Sequence, residues 1–244
     1  MNRRSFAQSI GGAAVLSALG KAAEARGGIG LYRLEYLYFS DAIQARRFDE
    51  LLASRMPLLR KSTEALGIFS VVAGPHVPAT VVLSGFEGFE QMEAADRAVE
   101  KTGSGALYNR ADRVLLRPTD FSPAIAPPRE APKTSRIFEL RTDYAFAGRH
   151  IERLHERCAG PEAAISRRAG ICPMLYADVV VGPNMPALAC LIPFASLADR
   201  QRAWDAFGAD PEWMRLQNES LRAGAQPRQT EIVLLSPAAF SPMQ

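Results

Sequence analysis

Only three histidines, three cysteines and two tryptophans occur among 244 residues. Metal centres and disulfide frameworks have little to build on. Cys158, Cys172 and Cys190 are irregularly spaced and odd in number. One bridge plus a free thiol is compatible with them, but the simpler expectation is three small buried apolar side chains. His150 and His155 stand ~140° apart around a helix axis, a poor two-ligand pair, so no metal is expected. His76, in a Pro-flanked turn, is expected at the surface. No Gly-rich phosphate loop, HExxH, paired CxxC or G-x-S-x-G occurs, which removes the motif-borne nucleotide, zinc-protease and serine-hydrolase chemistries. The basic spots Arg167-Arg168 and Arg200/Arg202 lack interleaved aromatics, so no nucleic-acid partner is expected. No later segment reaches the ~18 consecutive apolar residues of a membrane span. With 48% hydrophobic and 23% charged residues the composition is that of an ordinary globular chain.

Residues 1–25 read as a leader. Arg3 and Arg4 open it, Ile10–Leu19 is a short Gly/Ala-rich apolar stretch, and Ala23-Glu24-Ala25 offers small residues for cleavage. The Arg-Arg-x-Phe core resembles a twin-arginine (Tat) signal, although Asn2 and Ala7-Gln8 depart from it. The resemblance implies export, with a periplasmic location expected. Arg3, Arg4 and Lys21 against Glu24 account for +2 of the formal net charge of +3. The remaining chain is nearly neutral, and no acidic partner is implied.

The rest is one pattern written twice. Residues 113–123 (Arg-Val-Leu-Leu-Arg-Pro-Thr-Asp-Phe-Ser-Pro) and 232–242 (Ile-Val-Leu-Leu-Ser-Pro-Ala-Ala-Phe-Ser-Pro) agree at seven of eleven positions without a gap, which marks an internal duplication. Leu31–Tyr38 aligns with Ile137–Tyr144, and Leu83–Phe89 with Leu191–Leu197. Apolar periodicity predicts strands at 31–39, 68–73, 80–86 and 113–117, with helices at 42–66 and 89–101. The second copy predicts strands at 137–144, 171–181, 187–194 and 230–236. Its helices fall at 148–169, interrupted at Gly160-Pro161, and at 196–222. A β-α-β-β-α-β order is the ferredoxin-like unit. The domains are therefore 29–121 and 136–240, joined by a Pro-rich linker at 122–135. The expected fold is α+β, two tandem ferredoxin-like units packed sheet to sheet as a pseudo-dimer.

Alternation leaves two rows on each first strand. One is Tyr32, Leu34, Tyr36, Tyr38 and Phe138, Leu140, Thr142, Tyr144. The other is Leu31, Arg33, Glu35, Leu37 and Ile137, Glu139, Arg141, Asp143. Were the second row the shared interior, the reversed charge order would pair the copies across a pseudo-two-fold axis. Otherwise those charges face away from it.

Phe138-Glu139-Leu140-Arg141-Thr142-Asp143-Tyr144 resembles the aromatic-Glu-Leu-Arg-x-Tyr opening of the NIPSNAP family, with one extra residue before Tyr144. Ser196-Leu197-Ala198-Asp199-Arg200 is similar to its Ser-Leu-x-x-Arg, and Pro211-Glu212-Trp213 to its Pro-x-Trp. The family's third-strand Trp is absent, with Pro193 near that place. The resemblance covers 137–236, and 31–117 only through the repeat. It implies a dimeric α/β-barrel, a superfamily that includes cofactor-free monooxygenases, enzymes of polyketide and aromatic metabolism, and haem-binding enzymes. Such proteins use the cleft between sheet and helices or the barrel interior.

Two functions follow as expectations. The first is monooxygenase- or isomerase-like chemistry on an aromatic or polyketide-like compound. Arg141 would orient an anionic oxygen, Asp143 or His155 would act as base, and Tyr144 or Tyr176 would donate a hydrogen bond. Arg200 and Trp213 would line the ligand. The second is a non-catalytic exported module for a hydrophobic ligand or for assembly, with haem on His155 its one candidate cofactor. Either accommodates a homo-oligomer. Convergence of Arg141, Tyr144 and His155 on one cavity would favour the enzyme. A filled barrel with those side chains in salt bridges would favour the binding module.

Overall fold

The structure, a computed structural model, describes residues 28–101, 107–125, 136–146, 149–223 and 227–244. The leader residues Arg3, Arg4, Ala23 and Ala25, and linker residues 126–135, lie outside the described residues.

The first half runs β1 (Leu31–Tyr38), α1 (Ala42–Ser62), β2 (Ala65–Ala73), β3 (Ala79–Phe86), α2 (Phe89–Glu100) and β4 (Arg110–Pro118). The second runs β5 (Ile137–Tyr144), α3 (Arg149–Ala159), α4 (Pro161–Ala169), β6 (Leu175–Val181), β7 (Ala187–Phe194), α5 (Leu197–Gly208), α6 (Pro211–Arg222) and β8 (Gln229–Pro237). Strand order 4-1-3-2 in one half is repeated as 8-5-7-6 in the other, and all pairs are antiparallel. The halves also bond edge to edge, β2 to β8 and β4 to β6. The result is a closed eight-stranded barrel with helices outside, an α+β pseudo-dimer in which the expected sheet packing is completed by two hydrogen-bonded seams. Closure leaves neither half a free edge.

Two helical boundaries differ from expectation. α1 stops at Ser62 with Thr63 as cap, and the chain turns into β2 from Ala65, so Leu66 belongs to the sheet. The predicted helix at 196–222 is two helices. Pro211 occupies the first turn of α6, and Asp210 caps it by accepting from the backbone N–H groups of Glu212 and Trp213 at 2.9 and 3.2 Å. The expected break at Gly160-Pro161 separates α3 from α4, whose C-cap Gly170 adopts φ 85°.

Successive strand residues point to opposite faces, and the barrel interior takes the tyrosine-and-aliphatic row. Tyr32, Leu34, Phe138, Leu140 and Tyr144 join the core with Phe69, Leu83, Leu191 and Leu235. The charged row faces the helices, so the interdomain ion network is not formed. Within the first half, Arg33 donates to both carboxylate oxygens of Asp96 on α2, at 2.7 and 2.9 Å. In the second half, Glu139, 0% exposed, accepts from Arg200 at 2.5 Å and from the Trp204 indole at 2.9 Å, both on α5. The charge reversal between copies is matched by strand-to-helix pairing inside each. Tight apolar packing at the filled end of the barrel explains this: charges placed there would have to be desolvated from both sides.

Cys158 and Cys190 are buried free thiols, as expected of small apolar side chains, whereas Cys172 is exposed in the turn before β6. Met214, 47% exposed, is a surface residue of α6.

Candidate functional site

The predicted residues divide between the two faces of the second-half sheet. On the helix side, Asp143 accepts from Arg141 Nε at 3.2 Å and from Thr230 Oγ1 at 2.6 Å. The Arg141 guanidinium lies 5.2 Å from the Trp204 ring. Burial opposes its charge while Asp143 favours it, and the net result is a raised pKa. Tyr176 packs at a tilt against Phe121, with ring centroids 5.1 Å apart, and its hydroxyl is pushed far up by burial. Arg200 is committed to Glu139, and Trp213 packs on Phe207 with centroids 4.4 Å apart. The space among Arg141, Asp143, Cys158, Glu162, Tyr176 and Trp204 is about 30 Å³. That volume holds water, not an organic molecule. Burial raises the Cys158 and Cys190 thiols, which keeps both protonated and unreactive.

His155 lies elsewhere, with Nε2 2.7 Å from Asp178 Oδ1 and its ring edge-on to Phe121. It lines neither cavity. Arg141, Tyr144 and His155 therefore do not converge. His155 does not fit the part of a haem ligand in this arrangement, since its Nε2 is already engaged by the Asp178 carboxylate.

Tyr144, on the other face, opens onto a much larger space. The barrel is packed solid at one end by Phe69, Phe138, Leu83, Leu191 and Leu235. At the end reached by Tyr38 and Tyr144 it holds a cavity of about 630 Å³. The floor is Leu34, Leu116, Val179 and Ala189; the polar groups are Tyr36, Tyr38, Thr142, Tyr144, Asp112 and Glu231, with Arg110 and Arg113, which are paired with Asp112 and Glu35. Two equivalent turns form the rim, Gly74-Pro75-His76-Val77-Pro78 and Gly182-Pro183-Asn184-Met185-Pro186. His76 and Asn184 occupy matching left-handed conformations at φ 60° and 56°, tolerated more readily by Asn and His than by most residues. Each turn ends in a cis X-Pro bond, and Val77 and Met185 stand exposed at the tips. His76 is at the surface as expected, yet belongs to this rim.

Several of the polar groups inside are paired with one another. The Tyr144 hydroxyl donates to Glu231 at 3.4 Å. Asp112 is held by Arg110 at 2.9 Å, and that guanidinium lies 4.3 Å from the Tyr38 ring centre. Burial, reinforced by the Glu231 charge, raises the hydroxyls of both Tyr36 and Tyr144. Both remain neutral donors throughout the physiological range.

Of the residues given a catalytic or ligand-binding role from sequence, Tyr144 alone lines this cavity. Tyr36, Tyr38, Arg110, Asp112 and Glu231 were missed as site residues. A signal existed: Arg110-Ala111-Asp112 and Gln229-Thr230-Glu231 immediately precede the best-matching stretch of the repeat, and both acids fall on its inward row.

The comparisons with known proteins agree with this architecture. The NIPSNAP family model matches residues 138–242, in the C-terminal half. Among curated proteins, none matches the sequence. A candidate monooxygenase from Lactobacillus acidophilus NCFM superposes with TM-score 0.55 and 11% identity, over 86% of this chain and 94% of its own. An anthrone oxidase-like protein gives TM-score 0.57 and 12% identity, over 88% and 94%. At such identities the likeness establishes the fold. A NIPSNAP family protein from Agrobacterium tumefaciens, 21% identical, aligns with 45% of this chain and 99% of its own length at TM-score 0.40.

Proposed function

We propose that the chain binds a small aromatic or polyketide-like molecule in the barrel-mouth cavity and acts on it by monooxygenase- or isomerase-like chemistry. The observation that carries this reading is the half-filled barrel. Its volume of about 630 Å³ lies within the ~300–1,000 Å³ usual for small-molecule sites. Its floor is apolar, and tyrosines and charged side chains line its upper wall. Tyr36 and Tyr144, held neutral by burial, would donate to a carbonyl or enol oxygen and stabilise charge developing there. The helix-side residues Arg141, Asp143 and Tyr176 would support the sheet from behind, and Arg200 and Trp213 would fasten α5 and α6. The solved proteins of similar fold named for oxidase and monooxygenase activities are in keeping with this reading.

Native mass spectrometry of protein from its own host, with thermal-shift screening of aromatic compounds, tests it. A retained or stabilising compound should be lost in Thr142→Trp, which fills the cavity, and kept in Arg141→Met. The opposite pattern would return the site to the helix-side cleft. The same cavity suits a non-catalytic carrier of hydrophobic ligands, favoured by the exposed apolar tips Val77 and Met185. Recovery of the ligand unchanged after incubation with oxygen would decide for the carrier. Export belongs to the same proposal: Arg3→Lys with Arg4→Lys should leave an uncleaved precursor in the cytoplasm.

A further inference from the structure

The duplication supplies an internal reference for what the cavity lacks. In the first copy Tyr38 lies opposite Arg110 across the β1–β4 ladder, and Tyr36 opposite Asp112. The Arg110 cation is held between the Tyr38 ring, 4.3 Å away, and the Asp112 carboxylate, 2.9 Å away. In the second copy the same register sets Tyr144 opposite Gln229 and Thr142 opposite Glu231. The ring and the carboxylate are kept; the cation is not, because Gln229 stands where Arg110 does. Among the described residues, Glu231 has no ion-pair partner, only the Tyr144 hydroxyl at 3.4 Å. Unlike Asp112, whose side chain is half exposed, Glu231 is partly buried against the cavity. A positive charge is the natural complement of a carboxylate that has no ion-pair partner.

Resting on the reading that this cavity binds a small molecule, we propose that its ligand is an organic cation. A protonated amine or amidine on an aromatic body would seat between the Tyr144 ring and the Glu231 carboxylate, in the place that Arg110 fills in the first copy. Ring face and carboxylate act together on one cation, as they do on the Arg110 guanidinium. The rest of the ligand would extend over Leu34, Val179 and Ala189 on the cavity floor.

Benzamidine and its neutral isostere benzamide, titrated into the full chain by calorimetry or NMR, separate the charge from the ring. Benzamidine should bind at least about tenfold more tightly, the worth of one charge-assisted hydrogen bond. Glu231→Gln should abolish that preference. Gln229→Arg rebuilds the first-copy trio inside the second, so it should exclude benzamidine while leaving the thermal midpoint unchanged or raised. Equal binding of benzamide, or a preference that survives Glu231→Gln, would overturn the proposal. So would undiminished binding to a folded Gln229→Arg variant. If neutral aromatics bind and are expelled by Thr142→Trp while benzamidine has no advantage, the cation fails and the cavity stands. If no compound responds to Thr142→Trp, both fail.

Discussion

Glu139 has no contact with solvent, and its Oε2 is held by Arg200 and Trp204. Removing Arg200 would leave a buried carboxylate without its counter-charge, a loss of about 3–5 kcal/mol in comparable pairs. Arg200→Ala should therefore lower unfolding stability by that order in a denaturant titration; a loss below about 1 kcal/mol would show that the pair is dispensable. Among the described residues, Asp49 has no such counter-charge. Its Oδ1 is buried with no partner, and burial raises its pKa. The folded chain thus holds this proton to a higher pH than the unfolded chain, and stability falls as pH rises through the interval between the two values. Asp49→Asn removes that penalty. Thermal melts should show the variant above the parent at neutral pH, with the advantage gone below the ordinary aspartate range. The motif residues were visible in sequence as residues; their partners were not. Glu139 meets Arg200 only because α5 lies across β5, a contact that spacing along the chain does not encode.

Helix limits illustrate which local signals outweigh periodicity. Apolar spacing continues through Asp210-Pro211, yet a proline preceded by a capping Asp starts a new helix there. At the end of α4, Gly170 takes φ 85° with open space around the position of a Cβ. Gly170→Ala meets no clash, only the left-handed backbone, so it should cost about 1–2 kcal/mol. Urea unfolding measures this, and an unchanged midpoint would show that the cap relaxes freely. The paired rim turns were legible too, since Gly-Pro-x-x-Pro recurs at 74–78 and 182–186. Their meeting over one barrel end follows from β2–β3 and β6–β7 being hairpins in a closed ring.

At the scale of the molecule, the seams β2–β8 and β4–β6 make each half the completion of the other. A fragment 136–244 would expose the edges of β6 and β8 along with the apolar inner face. It should form a homodimer in analytical ultracentrifugation, whereas the intact chain should unfold in one cooperative transition. A stable monomeric fragment would show that the seams contribute little. The fold was legible because the element order and the alternation are repeated twice over, and a ferredoxin-like unit with one bare face has few ways to cover it. The candidate site was legible only in part. Sequence placed Arg141 and Tyr144 in one motif, but adjacent strand rows point to opposite faces, so residues three apart entered different environments. Strand register, the sense in which the barrel closes and the room left at one end depend on side-chain volumes summed across all eight strands. The duplication, the two halves and their strands and helices were therefore written in local pattern and periodicity. Which row faces inward, which charges meet, and that the cavity lies within the barrel mouth rather than under the helices were decided by packing, because only packing determines where volume is left unfilled.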